Sequence, residues 1–239
     1  MTPGAVWAVV PVKPFDAAKT RLVSILDAAE RTQLAGLMLE DVMAALAASA
    51  HLLAGVIVVT ADERAAKIAQ KYDAVVIAEN VPAGLNGAIS QAIDSLAATP
   101  ATGVIVVPAD LPHLSAAEIE RLLIALRNPE AVAIIPATGD GGTNMLACRP
   151  AGAIPPLFGP QSFWRHRAAA RHAGIRPAIV TGSDLEHDID RPDDLVAFLS
   201  MGTSTKTHAF LSRLEIPERM RAGAQVLSRG MTSREIVSI

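Results

Sequence analysis

Short apolar runs alternate along this chain with longer stretches whose apolar residues recur three and four apart, and no other feature restricts the fold so severely. The runs fall at 6–12, 55–60, 74–77, 103–108, 131–136, 144–148 and 177–181. Each has the length of a strand, and runs such as 103–108 are apolar without alternation, as strands covered on both faces are. Between them the period becomes helical. Leu34, Leu37, Met38, Val42 and Leu46 form a stripe within 28–49, and Asp27 with Glu30 makes a capping-box pattern ahead of it. Ser115 and Glu118 repeat that signature before Ile119, Leu122, Leu123 and Leu126, and shorter helices are predicted at 61–71, 85–96, 162–172 and 192–200. This alternation predicts a three-layer α/β fold, a doubly wound and mostly parallel sheet with helices on both faces. With 239 residues, 51% of them apolar, a sizeable core is within reach. The pattern lapses at 201–207, so we expect one domain over 1–200 followed by a linker and a short helical tail over 201–239. In that tail 217–228 reads as a helix stopped by Gly230, and Thr232 with Glu235 as a further cap. The tail is expected to serve docking or dimerisation rather than catalysis.

Charge and cysteine content narrow the function classes. The formal net charge is −3 and the pI about 6.1, with no stretch that gathers Lys and Arg among aromatics, which excludes nucleic acid as the main partner. A single cysteine, Cys148, leaves no intrachain disulfide and no cysteine-cluster metal site. Its neighbours Met145 to Ala147 predict a buried apolar role. No apolar stretch reaches membrane-spanning length, so the cytoplasm is the expected location.

Two acidic sites suggest a metal-dependent nucleotidyl transferase. Asp110 follows the run 103–108 in Pro108-Ala109-Asp110-Leu111-Pro112, so its carboxylate is predicted to emerge at a strand's carboxyl end, where open α/β sheets bind ligands. Asp188 and Asp190 are two apart, hence on one face of an extended segment, and with Asp110 they could close a hard-cation site. The alternative is that each is a turn residue or a helix cap. After the first strand, Lys13, Lys19 and Arg21 place three cations in nine residues, which suits a triphosphate: Lys as point charge, Arg as planar fork. The loop lacks the Gly-Lys-Ser/Thr of a Walker loop and any Rossmann glycine; the competing reading is a solvated basic loop. Glycines at 139, 141 and 142 with Thr143, and Phe158-Gly159-Pro160-Gln161-Ser162 ahead of a helix, predict an anion site of backbone N–H and hydroxyl donors. Ser162 could equally be an N-cap alone.

Read in order, these motifs extend over about residues 6 to 200. Pro11 through Leu22, Gly84-Leu85-Asn86, Pro108 through Pro112, Gly142-Thr143-Asn144, Phe158 through His166 and Asp188-Ile189-Asp190-Arg191-Pro192 together resemble the guanylyltransferases of coenzyme F-420 biosynthesis. The resemblance implies a nucleotide-diphospho-sugar transferase-like fold, related to molybdopterin guanylyltransferase, and transfer of GMP from GTP to a small phosphorylated three-carbon acid. That acid would be phosphoenolpyruvate, 2-phospho-L-lactate or 3-phospho-D-glycerate, with pyrophosphate released and the product passed to a downstream transferase. It further implies Mg²⁺ on Asp110, Asp188 and Asp190, a catalytic set of Lys13, Lys19, Arg21 and Asp110, nucleotide contacts from Leu85 and Asn86, and acceptor contacts from Thr143, Gly159 and Ser162. Residues 84–87 could instead be only a turn and helix start, and His166 structural rather than functional. His113 and Arg191 depart from the aliphatic residue and Thr expected at their positions. The rival readings are another nucleotidyl transferase of molybdopterin or nucleotide-sugar type, against which the missing Gly-Gly-x-Ser-x-Arg loop speaks, and a noncatalytic nucleotide-binding module. A homodimer is the expected assembly if the tail serves that purpose.

Overall fold

A computed structural model describes residues 6–79, 84–138, 141–182 and 184–221. Among them seven strands form one sheet: β1 (Val6–Val12), β2 (Gly55–Thr60), β3 (Val75–Ala78), β4 (Gly103–Val106), β5 (Ala131–Pro136), β6 (Thr143–Arg149) and β7 (Ala178–Ile179), in the order β3-β2-β1-β4-β6-β5-β7. β1 pairs in parallel with β2 and with β4, β2 with β3, and β5 with β7; β6 runs antiparallel to both neighbours. Only the six residues 137–142 separate β5 from β6, too few for a parallel crossover, so that pair must turn back on itself.

The helices are α1 (Ala28–Ala48), α2 (Glu63–Gln70), α3 (Gly84–Ser95), α4 (Ala116–Ala125), α5 (Ser162–His172), α6 (Pro192–Ser200) and α7 (Lys206–Arg213). The caps predicted for α1 and α4 form, Ser115 Oγ accepting the Glu118 N–H at 3.4 Å. The Asp27 carboxylate accepts the Glu30 N–H at 2.8 Å, and the Glu30 carboxylate accepts the Asp27 N–H at 3.0 Å.

Alternation along β1 fills the two faces. Ala8, Val10 and Val12 pack with Leu39, Val42, Met43 and Leu46 of α1, with α2 and with α4, whereas Val9 packs with Ile57, Val59, α3 and Ala170 of α5. Cys148 lies in the second layer, and burial pushes its thiol up to about 12, so it is an apolar filler as expected.

A third cluster joins Leu22, Leu26, Leu34 and Met38 to Ile189, Leu195 and Phe198, and also to Phe210, Leu211 and Ile216 from beyond residue 200. α7 was not among the predicted helices. Thr205 caps it by accepting the His208 N–H at 3.1 Å, and Asp41 of α1 accepts the backbone N–H groups of Lys206 and Thr207 at 2.9 and 2.8 Å. The backbone is again helical at 216–221; the rest of the predicted 217–228 helix and the cap at Thr232 lie outside the described residues.

Candidate functional site

β1 and β4 lie side by side at the point where the strand order reverses, and the loops leaving their carboxyl ends form a cleft there. The β1 loop makes two 3₁₀ turns, Phe15–Ala17 and Thr20–Leu22, on either side of Lys19, whose φ of 54° and ψ of 35° are left-handed. Its ends are pinned. Leu22 is fully buried, and the buried Phe15 donates its N–H to the Asp62 carboxylate at 2.8 Å. Asp62 also caps α2 through the Arg64 N–H and is bonded by the Arg64 guanidinium at 2.7 Å, while Arg64 lies 5.3 Å over the Phe15 ring. Arg64, helped by the two N–H donors, holds the Asp62 carboxyl well below the usual carboxylate range. Sequence reading did not find Asp62 or Arg64. Asp62 after a strand reads only as an N-cap, and its reach to Phe15 spans 47 residues.

The two acidic motifs lie side by side. Ile189 donates its N–H to the Asp110 carbonyl at 3.4 Å and buries its side chain in the third cluster. Asp188 and Asp190, on either side of it, are both partly accessible. Asp194 fixes this segment from α6, its carboxylate accepting the N–H groups of Asp190 at 2.9 Å and Arg191 at 2.6 Å. Pro192 opens that helix.

Cations of the β1 loop face these acids. Lys19 Nζ is 2.8 Å from Asp110 Oδ2, with the Lys19 side chain only 7% exposed, and Arg21 Nη1 is 2.5 Å from Asp190 Oδ2. Burial, then the charges of Asp110 and Asp190, push the Asp188 carboxyl up to about 6, against the opposing pull of Lys19. Lys13, Lys19, Arg21, Leu85, Asp110, Phe158 and Asp190 all line one cleft of about 380 Å³. Among the described residues no three His, Cys, Asp or Glu side chains are gathered tightly enough to enclose a metal ion.

The other predicted residues sit beside that cleft rather than in its wall. Thr143 starts β6 and is 7% exposed; Ser162 is 1% exposed as the first residue of α5, whose N-cap is Gln161 with φ 57°, so the reading of Ser162 as the N-cap does not hold. Gly159 has φ +117°, a conformation that L side chains rarely adopt, and a Cβ there would stand 3.3 Å from the Arg165 guanidinium. Asn86 spends its amide on the backbone of Phe158, accepting that N–H at 2.8 Å and donating to the carbonyl at 3.1 Å. The amide that the resemblance assigns to the nucleotide is here bonded to the protein. His166 is wholly buried between Thr143 Oγ1, 3.0 Å from Nδ1, and the Leu157 N–H, which donates to Nε2 at 2.8 Å, with the Phe158 ring edge-on at 4.9 Å. Phe163 packs inward, whereas Trp164 is 55% exposed with Arg167 5.2 Å over its ring.

Comparison with known proteins finds relatives over most of the chain. The family described as "Guanylyl transferase CofC like" matches residues 6–230. A curated 3-phospho-D-glycerate guanylyltransferase from Phenylobacterium zucineum is 38% identical over 210 residues, covering 87% of this chain and 96% of the relative. A phosphoenolpyruvate guanylyltransferase from Roseiflexus castenholzii is 40% identical over 220 residues, covering 92% of this chain and 98% of the relative. Among solved structures, one described as a nucleotide-diphospho-sugar transferase from Desulfovibrio desulfuricans superposes with a TM-score of 0.73 over 90% of this chain and 98% of its own. At 17% identity that likeness shows the fold alone.

Proposed function

This chain belongs to the CofC-like guanylyl transferase family, and from that premise we propose that it transfers GMP from GTP to a small phosphorylated three-carbon acid, releasing pyrophosphate, as a step of coenzyme F-420 biosynthesis. The observation that carries this reading is the meeting, in one cleft at the sheet's switch point, of Lys13, Lys19 and Arg21 with Asp110 and Asp190. The family membership also speaks against a noncatalytic module and against the molybdopterin and nucleotide-sugar rivals.

The reaction brings an acceptor phosphate, its second pKa about 6 by analogy with phosphorylated side chains, toward a still more anionic triphosphate. No general base is required; the need is for charge compensation and alignment. Lys13, exposed at the cleft's rim, and Lys19, held at its floor, offset charge on the β and γ phosphates, and Arg21 offers a fork to the departing pyrophosphate. Incoming phosphates compete with Asp110 and Asp190 for Lys19 and Arg21, and so release those carboxylates.

By residue type the donor set suits Mg²⁺, which keeps several waters and is held by one or two carboxylates with substrate phosphates, so it does not need the enclosing cage that these side chains do not form. Asp110, Asp188 and Asp190 are hard oxygen donors; burial first, and then the charges of Asp110 and Asp190, raise Asp188, and a bound cation would offset both. When bound, the ion would neutralise phosphate charge and polarise the α-phosphorus. Leu85 and Phe158 form the apolar wall against which the nucleoside rests, with Asn86 holding Phe158 in place. Thr143, Ser162 and the Gly159 backbone then receive the acceptor's phosphate and carboxylate. We place the enzyme in the cytoplasm, handing its product to a downstream transferase; of the two roles expected of the segment after residue 200, docking onto its own core is the one that the packing of Phe210, Leu211 and Ile216 supports.

Pyrophosphate release should be measured with GTP, ATP, CTP and UTP against phosphoenolpyruvate, 2-phospho-L-lactate and 3-phospho-D-glycerate, with the downstream transferase present to trap the product. GTP with one of the three acids is expected to exceed every other pairing. Turnover that prefers another nucleotide, or that needs no phospho-acid, would sink the proposal.

A further inference from the structure

Thr143, His166 and Leu157 form one hydrogen-bonded chain beside the cleft. Leu157 donates its N–H to His166 Nε2 at 2.8 Å, so Nε2 must be bare. A neutral imidazole then has its proton on Nδ1, and that proton goes to Thr143 Oγ1 at 3.0 Å. A hydroxyl that accepts from a ring nitrogen keeps its own proton to donate elsewhere. Neither ring nitrogen has an alternative arrangement: an imidazolium, or the Nε2–H tautomer, would set an N–H against the Leu157 N–H inside a site where His166 is 0% exposed.

We infer that His166 is a positioning residue for the acceptor: it turns the Thr143 hydroxyl proton away from the ring and so fixes Thr143 as a donor to an anion. The inference rests on the acceptor assignment proposed above for Thr143. A donor so fixed favours phosphate or carboxylate oxygen over any group that must itself donate, which gives the pocket its sign. The low basicity that burial imposes on His166 agrees with this, since the ring stays neutral at physiological pH.

Two conservative substitutions separate the two bonds. His166→Asn leaves an amide N–H near the Nδ1 position for Thr143 but nothing for Leu157; His166→Gln leaves an amide oxygen near the Nε2 position for Leu157 but nothing for Thr143. Kinetics would use GTP and whichever of phosphoenolpyruvate or 3-phospho-D-glycerate wild type turns over faster, with thermal melts as the folding control. His166→Gln should raise the acceptor KM about tenfold, the size of one lost hydrogen bond, with the GTP KM within about twofold of wild type. His166→Asn should recover most of that loss, and Thr143→Ala with His166→Gln should be no worse than Thr143→Ala alone. An unchanged acceptor KM in His166→Gln, or additive losses in the double variant, overturns the positioning role while leaving the acceptor site standing. A silent Thr143→Ala overturns the acceptor assignment and this inference with it. Ring nitrogen NMR of wild type labelled with ¹⁵N-histidine decides the tautomer independently of any variant's folding: a proton on Nδ1 alone supports the inference, and a proton on Nε2 ends it.

Discussion

Lys19 combines a left-handed backbone with an ammonium group 7% exposed against Asp110, an arrangement that costs backbone strain of about 1–3 kcal/mol and is kept only where the surroundings hold it. Asp110→Asn or Asp190→Asn should lower turnover by orders of magnitude while melting within a few degrees of wild type, because each removes a hard anionic ligand from a partly accessible position. Mg²⁺-dependent turnover equal to wild type in either variant would take that carboxylate out of the mechanism. His166 makes a separate claim on stability. Its ring is held down to about 4, by burial first and by Arg165 second, against 6.5 when free, so protonation favours the unfolded chain. Stability from this group is complete above about pH 6.5 and falls as the pH drops toward 4, by up to roughly 3 kcal/mol, and His166→Gln should flatten that part of the profile. Denaturant midpoints measured between pH 7 and pH 4 test the sign.

Elements hold the reactive residues by their ends rather than by their faces. α2 contributes Asp62, which joins its own cap to the β1 loop through Phe15, and α6 contributes Asp194, which gathers the N–H groups of Asp190 and Arg191. Asp62→Ala leaves the buried Phe15 N–H and the α2 terminus without their acceptor, so it should cost about 1–3 kcal/mol in denaturant stability and raise the GTP KM more than the acceptor KM. Equal effects on both substrates would mean that the loop serves the whole cleft. The elements themselves were largely legible, because a strand's length, a helix's period and a cap such as Asp27 with Glu30 are written in neighbouring residues. α7 was passed over because the polar stretch before it hid the Thr205 cap and only Phe210 and Leu211 mark its buried side. Asn86 was read toward a ligand because nothing local reveals that Phe158, 72 residues on, takes both ends of its amide.

At the scale of the molecule, the segment after residue 200 closes the core that supports the β1 loop, since Phe210, Leu211 and Ile216 share a cluster with Leu22, Leu26 and Ile189. Leu211→Ala should therefore cost about 2–5 kcal/mol, and a chain ended at residue 200 should melt well below the full chain and lose activity with it. A truncated chain with unchanged melting and turnover would show that the catalytic unit stops where the apolar pattern lapses. What the sequence by itself determined is every strand and all the helices before residue 200, the two-sided burial of the sheet, and the residue types waiting at the strand ends, all consequences of periodicity and capping among residues close along the chain. Only the tertiary structure decided the partners: Lys19 with Asp110 across 91 residues, Arg21 with Asp190 across 169, β6 reversed between two strands, and His166 fixed in one tautomer by Leu157. Those pairings depend on which strands lie side by side and on where their loops emerge, and that is settled when the apolar faces pack together, not by any residue's neighbours in the chain.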